Sequence, residues 1–548
     1  MSKIIKLNTE ARKNLWEGIK ELSDAVMSTL GPNGRNMMFI TEEGLVGSTK
    51  DGVSVAKEII LKDPIANLGV QALKQTAIKT AEKAGDGTTT STLLARFIIE
   101  EGLHYVNKGC NVVEIKKGIE RATKQVIEFL RNNISQEIKS ADQIQQIATI
   151  SSNNDEEIGN IIVMAMDYAG REGIVTIEES KTEETYLEKV EGVQFERGYK
   201  SHYFVTNNGD MTCHLEDPYI LLVDENINQI KDLLPLLEQI SSQNKSLLII
   251  ANDIDNEALA TLIVNKGRGN LKVCAVKAPD FGERRKLLME DIAIITGGEV
   301  VSKERGMKLK EFSWDWLGRA RNINITKDKT TIIDGRGESE SIQTRIEELQ
   351  QQIEKSKTPF ETEKIQERLA KLAGGIVIIH VGGYTESEIR EKKDRVEDSL
   401  NATQAALEEG VVSGGGIALL FARDYISKTR EELDSDIHIG KEIVYKACSK
   451  PFFQILKNAG FEIEDISSAI AEIIKRGEGG TEPWWGVDLK KNEIVNLIEV
   501  GVIDPTKVVR LALENASSVA AGILITEVVV VDDPEVKKEN SNPFGGMF

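Results

Sequence analysis

Cysteine and histidine are scarce in this chain, and neither falls in a metal-binding pattern. Four cysteines, Cys110, Cys213, Cys274 and Cys448, are spread over 548 residues with no C-x-x-C pair. Neither a zinc site nor a disulfide framework is expected, and a reducing compartment fits. The five histidines, His104, His202, His214, His380 and His438, show no ligand spacing. Basic residues are outnumbered: 68 Lys and Arg against 88 Asp and Glu give a formal net charge of -20. That balance argues against a nucleic-acid or anionic-membrane surface. No apolar run approaches a membrane span, and the opening "MSKIIKLNTEARKNL" has no signal-type apolar core, so a cytoplasmic protein is expected. Also missing are G-x-x-x-x-G-K-[ST], a G-x-G-x-x-G after a strand, H-E-x-x-H and the protein-kinase set. Any chemistry must rest on carboxylates and glycines.

One stretch concentrates both. Residues 83–97 read "KAGDGTTTSTLLARF", with Gly85 and Gly87 flanking Asp86, then Thr88, Thr89 and Thr90, then Leu93, Leu94 and Phe97 at helical spacing. A helix N-terminus is a natural phosphate site, where an acid is out of place unless a divalent cation sits between acid and phosphate. The alternative is an ordinary capped helix after a turn. Asp51, in the Asp-Gly turn of "STKDGVSVAKEI", and Asp398 are two further acids that stand out. One acid could hold a metal while another orients water for phosphoanhydride hydrolysis.

The length predicts two to four domains. Leu15, Ile19, Leu22 and Val26 form a helical stripe that ends before "TLGPNGRN", and residues 1 to about 134 read as mostly helical. From about 190 to 375 the texture is β/α, with buried strands expected at 219–223, 247–251 and 272–276 and a helical hairpin over 342–372. Thr385 and Glu388 have capping-box spacing, and on the helix that follows Asp398 points away from the stripe of Val396, Leu400, Thr403 and Leu407, toward solvent by default. "VVSGGGIALL" offers a second close backbone approach, and Asp504 with Pro505 reads as the start of a helix. In the middle segment Leu233, Leu234, Leu237, Leu259, Leu262, Ile263 and Val264 lie on two short helices, either as core or as an exposed apolar groove. The pattern is nested, with Gly192, residues 374–375 and Gly410 as candidate joints.

Seven stretches in one order, "TLGPNGRN", "TKDGVSVAKEI", "AGDGTTTSTLLA", "KAPDFGERRK", "KLAGGIVII", "RVEDSLNATQAALEEGVVSGGGIAL" and "GVIDPTKVVR", closely resemble the GroEL-type group I chaperonins, and the resemblance runs over nearly the whole chain. It implies a multidomain α/β fold: a helical equatorial ATPase domain (1–134 and 410–548), a small α/β intermediate hinge domain (135–190 and 376–409) and an α/β apical domain (191–375). The implied activity is ATP hydrolysis coupled to protein folding, in two stacked seven-membered rings that work with a GroES-like co-chaperonin on non-native polypeptides. The implied cofactors are ATP and Mg²⁺, with K⁺ as a candidate accessory ion.

Carried over by motif, the resemblance places Thr29, Leu30, Gly31, Pro32 and Lys50 at the ATP phosphates, with Gly87, Thr88, Thr89 and Thr90 cradling phosphate. Asp86 holds Mg²⁺, and Asp51 and Asp398 orient the attacking water. Gly415 contacts the ribose or base region, and Asp504 the ribose hydroxyls. Tyr199, Tyr203, Phe204, Leu234, Leu237, Leu259, Ile263 and Val264 form the substrate and co-chaperonin surface, and Glu386 and Arg197 match a pair linking neighbouring subunits. The chain also departs from the family pattern. Asp488, Leu489 and Lys490, beside Trp484 and Trp485, replace the family's Asn-Ala-Ala near adenine, and "NISQEIKS" lacks a hinge proline. Asp280 replaces a glycine, and the Gly-Gly-Met tail shrinks to "PFGGMF". A binding scaffold with weak ATPase is the alternative, and a small-molecule α/β enzyme is disfavoured by the lack of a phosphate fingerprint in the middle segment.

Overall fold

A computed structural model describes residues 3–40, 46–152, 154–170, 174–180, 182–207, 211–355, 359–428, 435–477 and 482–533. They divide into two compact units. The first draws on Met1–Val163, Glu179–Glu184 and Val381–Phe548, the second on Met164–Glu178 and Thr185–His380. Residues expected in a hinge domain, 135–190 and 376–409, are shared between both units. The tail that carries "PFGGMF" lies outside the described residues.

The first unit is a helical assembly. The helix Asn8–Met27 buries Leu15, Ile19, Leu22 and Val26 as the stripe predicts. The helix Pro64–Ala84 starts at Asp63, whose carboxylate accepts from the N–H groups of Ile65 (2.7 Å) and Ala66 (3.1 Å), and ends where Gly85 turns left-handed at φ 72°. Its neighbours Thr88–Val106, Val112–Phe129, Ser435–Cys448 and Thr506–Leu524 complete the core around Leu93, Leu94, Ile98, Ile115 and Ile119. Small antiparallel sheets edge this core: Lys3–Leu7 with Val528–Asp532, Met37–Ile40 with Val46–Thr49, Trp485–Asp488 with Glu493–Asn496, and Val411–Ser413 with Ile503–Pro505. Among the described residues no helix is long and apolar enough to cross a membrane.

The second unit holds an eight-stranded mixed sheet. Tyr219–Ile227, Ser246–Ile254 and Lys272–Lys277 run parallel and carry the three apolar runs expected from sequence. Continuous apolar strands are what a parallel sheet covered on both faces requires. Gly318–Ile325, Thr330–Gly335 and Gly192–Phe195 extend the sheet antiparallel, so the expected joint Gly192 lies paired within a strand. The expected hairpin is the helix pair Ser339–Lys355 and Pro359–Gly374. It is tied to Gly282–Thr296 by buried Asp291, which accepts from Arg368 (2.7 and 2.8 Å) and Arg345 (2.9 Å).

Candidate functional site

A cavity of about 710 Å³ opens within the first unit. Its wall includes Thr29, Leu30, Gly31, Pro32, Lys50, Asp51, Asp86, Gly87, Thr88, Thr89, Thr90, Asp398, Gly415, Asp488, Leu489, Lys490 and Asp504. These residues span more than four hundred positions of chain, yet the fold brings them to one place.

At one end two helices begin side by side. A Cβ on Gly52 would lie 2.2 Å from the Thr89 hydroxyl oxygen, so only glycine lets the starts of Gly52–Glu58 and Thr88–Val106 approach this closely. The first start is capped by Asp51, which accepts from Val53 N–H (3.2 Å) and Ser54 N–H (2.7 Å). Both Asp51 oxygens are thus engaged in a helix cap, a second duty the sequence reading did not assign. The other helix start has no side-chain cap. Gly87, left-handed at φ 84°, occupies the cap position, and the hydroxyls of Thr89 and Thr90 make no hydrogen bond among the described residues. The capped-helix alternative for Asp86 is therefore not what forms. Unsatisfied N–H groups with positive dipole face the cavity there.

Three carboxylates surround this end. Asp86 accepts from its neighbour Gly87 N–H and from Ser151 Oγ at 3.1 Å, and burial, opposed by these bonds and reinforced by Asp51, raises its pKa. Among the described residues Asp398 has no hydrogen-bond or ion-pair partner. Burial first, then the charges of Asp86, Asp51, Glu397 and Asp394, push it well above the ordinary carboxylate range. The expectation of a solvent address for Asp398 is corrected: the face opposite the Val396 stripe is the face that lines the cavity. Asp504 is also relocated. The helix expected to start there begins at Thr506 with Pro505 as its cap residue, while Asp504 sits in the strand Ile503–Pro505. Freed from capping, it accepts from Gly415 N–H, and burial, then the charge of Asp86, raises its pKa to about 7. Lys50 lies 3.4 Å from the Pro32 carbonyl, its pKa lowered mainly by burial.

The sequence reading missed several wall residues. Gln145, Gln146, Thr149 and Ser151 come from the helix Ala141–Ser151, which belongs to no motif. This helix is held to Glu386–Glu409 by the Ser399 hydroxyl, which donates to the Ala148 carbonyl at 2.9 Å. Arg395, bonded to Asp155 at 2.8 Å, was legible in principle, since it stands three residues before Asp398 on one helix. The wall also carries apolar side chains, among them Ile455, Phe452, Leu497 and Leu489.

The expected polypeptide surface is only partly a surface. Tyr203 (62%), Leu234 (42%) and Val264 (47%) are exposed, and Tyr199, Leu259 and Ile263 pack half-buried against the core of the second unit. Phe204 (0%) and Leu237 (6%) are buried in that core. Their placement on the binding surface is corrected: Phe204 ends a short turn, His202–Phe204, and Leu237 faces inward from the helix Leu234–Ser242. Leu233 precedes that helix and is also buried. Arg197 lies with its guanidinium carbon 5.4 Å from the centre of the Phe281 ring.

A helical unit with this cavity, interrupted in sequence by an α/β unit, is a multidomain α/β architecture of the chaperonin kind. The chain belongs to the TCP-1/cpn60 chaperonin family, whose family model matches residues 22–534. Membership carries a chaperone role, with binding of non-native polypeptides and assembly into rings.

Proposed function

We propose that this chain is a cytoplasmic, ATP-driven chaperonin that encloses non-native proteins in a ring cavity and promotes their folding with a GroES-like co-chaperonin. One observation carries the reading: an uncapped helix start and three carboxylates with no ion-pair partner among the described residues, Asp86, Asp398 and Asp504, share one cavity. Phosphate suits the helix start and a divalent cation suits the acids. Among the described residues no three His, Cys, Asp or Glu stand close enough to hold a metal by themselves. An ion held by Asp86 would therefore share its shell with phosphate oxygens, the usual habit of Mg²⁺.

When bound, Mg²⁺ neutralises phosphate charge and aligns the terminal phosphate for displacement. The chain supplies the rest. N–H and hydroxyl groups of Thr88, Thr89 and Thr90, the loop of Thr29, Leu30, Gly31 and Pro32, and Lys50 hold the phosphates. Asp504 and Gly415 hold the ribose. Asp51 and Asp398 orient the attacking water, and Asp398, with no hydrogen-bond or ion-pair partner among the described residues and raised proton affinity, takes its proton. K⁺ has no residue assigned. The three domains drawn from sequence, 1–134 with 410–548, 135–190 with 376–409, and 191–375, are the moving parts of this cycle.

Assembly into two stacked seven-membered rings draws support from exposed sheet edges. The pair Lys3–Leu7 and Val528–Asp532 exposes Ile5, Leu7, Val528 and Val530, and the pair Met37–Ile40 and Val46–Thr49 exposes Met38, Ile40 and Val46. Unpaired edges with apolar faces suit pairing with another copy.

Asp398→Ala tests the catalytic core. ATP binding is expected to persist while single-turnover hydrolysis falls by roughly a hundredfold or more, and wild-type turnover would sink the assignment. Refolding of an aggregation-prone client with ATP and co-chaperonin separates a folding machine from a binding scaffold.

A further inference from the structure

The core of the second unit brings together two thiols that the cavity chemistry does not use. Cys213 opens the strand Cys213–Glu216, which pairs with Gly318–Ile325 and packs against Lys272–Lys277, the strand that carries Cys274. Both are free thiols buried in one apolar cluster, and the Cys274 S–H donates to the Cys213 sulfur. Two packed strands that set their thiols in contact meet the first requirement for a disulfide. The bond from Cys274, opposed by burial and aided by the Lys266 ammonium, holds the Cys213 thiol below its ordinary value. Burial, then the same bond, pushes Cys274 well above it. A thiolate is the nucleophile, so Cys213 is the member that attacks and Cys274 the member that resolves.

The pair also stands at the two fastenings of a surface turn. Lys200 N–H donates to the Ala275 carbonyl (2.8 Å), next to Cys274, and Thr206 N–H donates to the Thr212 carbonyl (2.9 Å), next to Cys213. Between them lies exposed Tyr203, and Lys266 Nζ donates to the carbonyls of Tyr203 (2.9 Å) and Val205 (2.6 Å). We propose that Cys213 and Cys274 are a reversible redox pair, and that their disulfide, formed by a peroxide, locks the turn 200–206 that carries Tyr203. Cys213 follows exposed Met211 by two residues, at the end of its strand, where local opening admits a small oxidant. The Cys213 thiolate attacks one peroxide oxygen, the O–O bond breaks, and the departing hydroxide takes up the proton that Cys213 released. The Cys274 sulfur then attacks the resulting sulfenic sulfur, the S–O bond breaks, and the second water leaves with the Cys274 proton. Two thiols are oxidised and one peroxide is reduced to two waters. A thiol reductant reverses the bridge by exchange.

The test uses the assembled full chain, reduced and then treated with hydrogen peroxide, with free thiols blocked on unfolding before digestion and mass mapping. The expected product is a peptide pair joined through Cys213 and Cys274 that dithiothreitol separates. In the oxidised protein, amide hydrogen exchange over 201–205 is expected to slow by about tenfold or more and to recover on reduction. This comparison needs no substitution. Cys274→Ala removes the resolving thiol, so peroxide is expected to leave Cys213 as a sulfenic acid that dimedone traps, with no slowing of exchange. Recovery of Cys213 and Cys274 as free thiols, or as separate sulfinic acids, overturns the pair. A bridge that leaves exchange of the turn unchanged overturns the lock, and so does slowing that persists in Cys274→Ala.

Discussion

The cavity of the first unit and the sheet unit treat charge in opposite ways. In the second, Asp291 is 6% exposed at its side chain and holds two guanidiniums, those of Arg345 and Arg368. Glu188 there accepts from Arg321 at 3.1 Å and from His380 at 2.8 Å, and the Arg321 hydrogen bond, ahead of that from His380, keeps its carboxyl below the ordinary range. In the cavity of the first unit Asp86, Asp398 and Asp504 have no such partners, and their pKa values move upward. Paired charge inside a protein staples elements together, and unpaired charge is a standing demand for a ligand. The chain spends stability at the cavity and keeps it in the sheet unit, which is how a binding site differs from a scaffold.

Breaking a pair should have the largest effect. Asp291→Ala takes the anion from the buried Arg368 guanidinium, while Arg345 keeps Glu348 at 2.9 Å, and is expected to destabilise the second unit by about 3–5 kcal/mol, read as an early transition in denaturant unfolding. An unchanged profile would mean that the triad is not a staple.

The opposite substitution in the first unit should stabilise. Asp504 has its pKa raised from 3.8 to about 7, so the folded state holds a proton that the unfolded chain releases. Stability from this group therefore falls as pH rises from about 4 to 7 and stays low above that. Asp504→Asn, which still accepts from Gly415 N–H, is expected to raise the ligand-free unfolding midpoint at pH 8 and to leave it unchanged at pH 4. An equal shift at both values would assign the effect to packing instead.

The smallest effect concerns backbone strain. Asp280 adopts φ 61°, the left-handed region, and keeps it through a 2.8 Å bond from Phe281 N–H to its own carboxylate. Asp280→Gly is expected to stabilise the second unit by less than about 1 kcal/mol, seen as a small rise in its midpoint. A loss of stability would show that the Asp280 bond outweighs the strain.

Much of this was legible in sequence because it is local. The three apolar strand runs, the helical hairpin around Pro359 and the stripe from Leu15 to Val26 each follow from a repeat of two or of about 3.6 residues. Thr385 behaves as the spacing predicts, accepting from Glu388 N–H at 3.2 Å, although the Glu388 carboxylate returns to Tyr384 N–H and not to Thr385. Misreadings arose where two local roles competed. Asp504 and Pro505 look like a helix start, but pairing of Ile503–Pro505 with Val411–Ser413 draws both into a strand. Phe204 and Leu237 were placed on the surface by resemblance alone, since apolar spacing does not separate an exposed groove from a core.

The sequence by itself determined the periodic helices, the three apolar strands of the sheet unit and the acids available for chemistry, since each depends on neighbours within a few residues. Only the tertiary structure decided which acids stand alone. Burial, then the charge of Asp86, raises the proton affinity of Asp398 and of Asp504 across hundreds of residues of chain, and burial and Coulomb repulsion depend on distances that folding alone creates.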